Sequence, residues 1–325
     1  MNPFGRWRWR LRAFRDLHRR RYDRQPASEF LFERRSIVRS SVENGPNTGD
    51  GSNQRTTVLV AANRAPHSAT RREEFVLRGV DAPSLTITSD PSNSVAVVGT
   101  AEPDWRAFFR AHGEGNSEAE AQERARAVSI SASGNTIALT TPYPDGHQWR
   151  GHLLVEGPTK AAVVVHGSYA YVEVLDMAGP VRVSATHARA KILDTSGQVD
   201  VTAGVIDFAA ARGRVTLSAE TEINLRMRSM QFEGMVRAWA QRSVRILVPA
   251  GFTTPIQAVV SRRARFVCRA ELASSVKYRR QGELHIFSIG DGTSSPSPML
   301  YLRSEEAAVV IDTATNSPPD RTECG

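Results

Sequence analysis

Four aspartates, Asp176, Asp194, Asp200 and Asp207, fall inside a run of short Val-rich segments, and two of them are placed for chemistry. Asp200 stands between Val199 and Val201, and Asp207 between Ile206 and Phe208. Successive side chains of a strand alternate between its faces, so with the apolar neighbours turned inward both carboxylates point outward. Two outward acids one strand apart form a candidate pair, Asp200 with Asp207, for acid–base work on a polysaccharide or for calcium. The competing reading makes them solubilising positions on the outside of strands. Asp194 reads as a turn residue.

Other chemistry-bearing residues are scattered. His147, His152 and His166 are near one another in sequence, but a metal site needs them to converge with a carboxylate. Cys268 falls in an expected strand and Cys324 is the penultimate residue; neither lies in a paired-cysteine metal motif, and two cysteines make no disulfide framework. There is no G-x-x-x-x-G-K-[ST] loop, no H-E-x-x-H and no G-x-S-x-G elbow. "SIGDGTSS" reads as a turn, because a Pro-rich loop follows it. The expectation is a protein that is no enzyme, with no cofactor, metal or evident small-molecule substrate.

Charge is concentrated at one end. Residues 1–24 hold nine arginines against Asp16 and Asp23, which accounts for +7 of the net +8. Only three lysines occur (Lys160, Lys191, Lys277) among 42 Lys and Arg residues, so arginine is the default cation of this chain. In the arm "FGRWRWRLRAFRDLHRRRYDR", Trp7, Leu11 and Phe14 recur at helical spacing. Trp9 adds an off-stripe aromatic, and Arg8, Arg10, Arg12, Arg15, Arg19, Arg20 and Arg21 fill the remainder. Such a segment suits an anionic lipid surface, with rings in the headgroup boundary and guanidiniums on phosphates. A disordered basic tail is the alternative. Base stacking on the aromatics is a third reading, but no folded nucleic-acid module follows, so no specific nucleic acid is expected. A second basic stretch, "RRARFVCRAELASSVKYRR" (262–280), sets seven cations against Glu271. It reads as a charged edge strand, with polyanion contact as the alternative.

These residues need strands to position them. Apolar pairs recur at Val172/Val174, Val181/Val183, Ile192, Val199/Val201, Ile206/Phe208, Val215/Leu217 and Ile223/Leu225. Val172 to Ile223 is 51 residues in six steps, one short strand plus one turn per step, with no crossover helix. A strand of this length cannot bury its apolar face alone and must stack on copies of itself. The fold class expected is all-β, a stacked short-strand repeat of β-solenoid or β-helix-like kind with one short helix and a disordered basic arm; an antiparallel β-sandwich is the alternative. Ser117 and Glu120 form a capping box that starts the helix, 117–127. The organisation read is an arm and flexible linker over 1–55, an N-terminal β region over 56–142, a β-repeat domain over 143–313 and a disordered tail over 314–325.

Taken in order, "FVLRGVDAPSLTITSDPSNSVAVVGTA", the helix "SEAEAQERARA", "AVSISASGNTIAL", the tandem "DTSGQVDVTAG" units and "LYLRSEEAAVVIDTA" resemble the bacterial putative-adhesin β-repeat domains of unknown function. The likeness spans roughly residues 74–313. It implies a stacked β-repeat fold and no established enzymatic activity. The functional expectation is a non-catalytic scaffold or adhesin-like interaction protein, docked on an anionic membrane surface by residues 4–22 and open to self-association. An exported adhesin module and a polysaccharide-active β-helix enzyme are the alternatives. The longest apolar runs, Val58–Ala62 and Ala161–Val165, are too short to span a bilayer, and no secretory signal is visible. The expected location is therefore cytoplasmic, peripheral at the inner membrane face, or exported if the true start lies upstream.

Overall fold

The structure, a computed structural model, describes residues 55–62, 67–77, 84–91, 93–141, 149–168, 170–290 and 300–314. The basic arm, His147, Cys324 and the tail beyond 314 lie outside these residues.

Residues 49–325 form one compact unit. The chain runs β1 (Arg55–Ala62), β2 (His67–Leu77), β3 (Ser84–Ser89), β4 (Ser94–Thr100), β5 (Trp105–Gly115), α1 (Glu118–Ala127), β6 (Ser129–Ser133) and β7 (Thr136–Thr140). The next are β8 (Trp149–Pro158), β9 (Ala162–Ser168), β10 (Tyr171–Leu175), β11 (Val181–Leu193), β12 (Gln198–Ala210), β13 (Arg212–Met227), β14 (Glu233–Ala240) and β15 (Ser243–Val248). Last come β16 (Ile256–Ser261), β17 (Arg265–Cys268), β18 (Lys277–Gln281), β19 (Leu284–Ile289), β20 (Leu300–Ser304) and β21 (Ala308–Thr313). The all-β expectation holds.

Strands join in two parallel ladders. The first runs β7, β3, β9, the front half of β11, of β12 and of β13, then β14, β20 and β16. The second runs β8, β4, β10, the rear halves of β11, β12 and β13, then β15, β21 and β17. Each turn of chain therefore lays one strand in each ladder, and strands from both sides of residue 143 share the stack. Parallel pairing runs through the stack, whereas antiparallel pairing is confined to its ends, in β1, β2, β5 and β8, in β6 and β7, and in β16, β19 and β18.

Register explains the period. Val181 pairs with Val199, and Val199 with Val215, so successive rungs are 18 and 16 residues apart. Like therefore stacks on like: Val181, Val199, Val215 and Val236 make one buried column, and Ile192, Phe208 and Leu225 another. Both belong to a single hydrophobic core. No rung can bury this surface alone, and that is why the pattern repeats.

Rung order in space departs from chain order at both ends. β7 and β8 lie outside β3 and β4, although they follow them in sequence. β20 and β21 lie inside β16 and β17, although they come later.

Where the chain enters the first ladder, glycines stack on glycines. A β-carbon on Gly197 would meet the carbonyl oxygen of Gly179 at 2.4 Å, and one on Gly234 would meet that of Gly213 at 2.1 Å. Both obstacles are backbone atoms and not the ends of flexible side chains, so they cannot swing aside. Gly197→Ala is expected to lower stability by about 1–3 kcal/mol, read as a fall in the urea midpoint at unchanged slope. An unmoved midpoint would refute the close approach.

The helix is built as its sequence dictates. The Ser117 hydroxyl accepts from the Glu120 N–H at 3.2 Å, while the Glu120 carboxylate accepts from the N–H of Asn116, one residue before the cap, at 2.7 Å. Ala121 and Ala125 bury against Ala69 of β2. They approach β5 where Gly113 and Gly115 leave no side chain, so α1 lies directly on the antiparallel end sheet. "DWRAFFRAHGEG", open to a helical reading in sequence, is strand β5 from Trp105 onward, with its odd positions buried.

Candidate functional site

The acids singled out by sequence are not brought together. Val199, Val201, Ile206 and Phe208 face the core as expected. Asp200 and Asp207 are seven positions apart, however, and a straight strand would turn them to opposite faces. A register irregularity at Gly204, between Ala203 and Val205, restores the outward direction but also carries the chain from the first ladder into the second. Asp200 belongs to the first ladder, where its carboxylate accepts from Gln198 Nε2 at 2.9 Å. Asp207 belongs to the second, where Arg189 Nε donates to it at 2.6 Å and Asn224 Nδ2 at 3.1 Å. The pair the structure does make is Asp176 with Asp194. Both adopt left-handed backbone at successive turns, with φ of 55° and 53°. Burial holds the Asp176 carboxyl above the usual range, Asp194 adds to this, and Arg228 opposes it. The Arg228 guanidinium lies 3.4 Å from Asp194. Among the described residues no group of three or more His, Cys, Asp or Glu could hold a metal ion.

Sequence reading missed one hydroxyl–imidazole contact. Ser94 of β4 and His152 of β8 are register partners, 58 residues apart, with Oγ and Nδ1 2.5 Å apart. In a nucleophilic site the imidazole would need a carboxylate to orient it and raise its basicity. Here burial drives the His152 pKa down to about 4, and Arg110, Arg150 and His112 push it the same way. The imidazole is neutral at pH 7 and a weak base, which suits a structural contact. Burial acts in the opposite direction on the Cys268 thiol, raising its pKa, so the thiol is not activated.

The basic stretch 262–280 forms the far end of the stack. All five residues of β18 are exposed, and among the described residues β18 pairs with β19 alone. Beneath it Phe266 stacks on Phe287 with centroids 4.1 Å apart, and Tyr278 tilts over Phe287 at 5.2 Å. These rings close the end of the core, and Lys277, Arg279 and Arg280 line an edge that is thereby protected from pairing with another chain.

The remaining surface is the outer face of the first ladder. Register aligns Ser184, Thr202, Ser218, Trp239 and Arg303 in one row across the strands, and Arg182, Asp200, Thr216, Arg237 and Tyr301 in the next. Neighbouring strands lie about 4.7–4.9 Å apart, so each row is a regular array. Trp239 is 41% exposed, between the buried Ala238 and Ala240. Its Nε1 donates to Glu305 Oε1 at 3.2 Å, and that oxygen also accepts from Arg303 Nε at 2.8 Å. The sequence held a signal for it, a bulky aromatic at an outward position of the alternating run "VRAWA".

Among known proteins, no family model matches the chain, and neither does any curated protein. Solved structures do. A putative cell adhesion protein from Clostridium sporogenes ATCC 15579 aligns at 9% identity over 81% of this chain and 100% of its own, with a TM-score of 0.28. A putative adhesin from Bacteroides fragilis NCTC 9343 aligns at 12% over 76% and 97%, with a TM-score of 0.23. One from Parabacteroides distasonis ATCC 8503 aligns at 11% over 82% and 98%, also at 0.23. These structural neighbours are putative adhesins. Among the described residues no helix is long and apolar enough to cross a membrane.

Proposed function

We propose that this protein is a non-catalytic, adhesin-like interaction module whose stacked strands present a rigid face to a cell-envelope surface. The carrying observation is the outer face of the first ladder: register-aligned polar rows, with an exposed tryptophan anchored at its indole nitrogen. A stack whose rungs share one core holds such a face without rearrangement, which lowers the entropic cost of binding a partner. A polysaccharide-cleaving role for Asp200 and Asp207 finds no support in this geometry, because the two acids belong to different ladders. Beads coated with the full chain are expected to adhere to bacterial or host cells above uncoated beads, and to leave added polysaccharide uncut. Adhesion equal to the uncoated control, or new reducing ends in the polymer, would overturn the proposal.

The arm makes a separable contribution. With eight arginines and interleaved Trp7, Trp9, Leu11 and Phe14, residues 4–22 are proposed to dock the module on anionic lipid or another polyanion. Deleting residues 1–24 is expected to abolish co-sedimentation with vesicles containing phosphatidylserine, and raising the salt concentration to weaken it in the parent chain. Binding that survives the deletion would remove the arm from the account.

A further inference from the structure

We propose that the outer face of the first ladder around Trp239 binds an acidic polysaccharide, with Trp239 as the platform on which one sugar ring stacks. The inference rests on the interaction-module reading and adds the class of ligand. Three observations carry it.

The first is the fixed indole. An exposed tryptophan normally keeps rotamer freedom that binding must remove, and a large aromatic presented to water marks an interaction surface more often than an isolated leucine does. Trp239 is tied at Nε1 to Glu305, and Glu305 is tied to Arg303 by contacts at 2.8 and 2.7 Å. Its donor is already satisfied, so what it offers is the apolar face of the ring, which matches the C–H face of a pyranose.

The second is unspent positive charge. Arg182, Arg214 and Arg237 are exposed on the same face and make no ion pair among the described residues. The Arg182 row passes through Arg237, two residues before Trp239 on the same face of β14. A guanidinium presents paired donors that fit a carboxylate in bidentate fashion, so a chain of acidic sugars would meet a ring platform and a carboxylate receptor side by side.

The third is the hydroxyl row. Ser184, Thr202 and Ser218 lie in register with Trp239, one per strand. Each can donate to or accept from a sugar hydroxyl. A linear polymer laid across the strands would meet a new polar group at each strand spacing, on the scale of a sugar ring.

Single-stranded nucleic acid is the competing polyanion, and the face fits it less well. Sequence-tolerant strand binding uses several aromatic platforms along a basic groove. Among the described residues this face presents one exposed indole, with the half-buried Tyr301 in the next row, which is few platforms for a run of stacked bases, while its hydroxyl row can bond sugar hydroxyls.

The test uses the full-length chain and a readout local to the site, since the basic arm would bind any polyanion. Tryptophan oxidation by N-bromosuccinimide is followed by mass spectrometry on the tryptic peptide Ala238–Arg242, with polygalacturonate, neutral dextran or a single-stranded oligonucleotide present. Polygalacturonate is expected to slow oxidation of Trp239 several-fold and dextran to leave it unchanged. An unprotected Trp239, or equal protection by dextran, would overturn the acidic-polysaccharide assignment. Protection by the oligonucleotide alone would transfer the face to nucleic acid. If coated beads adhere to cells while Trp239 stays unprotected, the ligand class fails and the interaction-module reading stands; failure of adhesion itself removes both.

Discussion

Phe208→Ala will lower the free energy of unfolding by about 3–5 kcal/mol. Phe208 is 1% exposed and sits in the middle of the stack, in register between Ile192 on one rung and Leu225 on the next. Truncation to alanine loses the transfer free energy of the ring and leaves a cavity. The cost depends on how far the surroundings collapse, and here both flanking strands are fixed at ladder spacing on either side. The value belongs near the upper end of the range. Asp200→Asn, a partly exposed change on the same strand, is expected to stay within about 0.5 kcal/mol. Urea unfolding of the two variants beside the parent checks both; a Phe208→Ala change below that of the surface control would mean the column does not carry the stack.

The second large effect is a pH dependence at His152. Folding holds this imidazole at about pKa 4 against 6.5 in the unfolded chain. Between those values the unfolded chain binds a proton that the folded chain refuses, so stability rises with pH across the interval. It is fully present above pH 6.5 and declines by up to about 3 kcal/mol as pH falls to 4. Ser94 on β4, Arg110 and His112 on β5 and Arg150 on β8 lie at the ring, and burial together with the Arg110 and Arg150 guanidiniums disfavours its protonated form. His152→Asn keeps a polar atom near the Nδ1 position and removes the titration. Its unfolding free energy is expected to stay level relative to the parent above pH 6.5, then gain on the parent as pH drops. Parallel curves for the two chains from pH 7.5 to 4.5 would remove His152 from the acid response.

Much of the stack was legible from alternation. Val199, Val201, Ile206 and Phe208 face inward because the chain offers nothing else to bury, and the Ser117 box marks the helix start because backbone donors there need a partner. Two things were not legible. The turn at Gly204 was legible in the step pattern, but that it sends Asp200 and Asp207 into different ladders was not, because a turn between two short strands does not say which strands each will pair with. Rung order was also hidden: Ile256, Ala258 and Val260 present the same inward column as Leu300, Leu302 and Ser304. Either strand would fit next to β14 by pattern alone, and only the pairing identifies β20 as the neighbour. The Ser94–His152 contact shares that cause, since it depends on which rung lies beside which.

The displaced rungs bear on how the molecule can be made. A ribosome delivers the chain from the amino end, and a stack in simple chain order could grow behind it one layer at a time. Here β16 and β17 leave the exit tunnel before the layer that separates them from β14 and β15 has been synthesised. They must either wait undocked or pair directly with β14 and β15 and later be displaced. Completion therefore depends on residues 300–313, and a chain halted before them would carry a mispaired or unfinished end whatever the quality of its core.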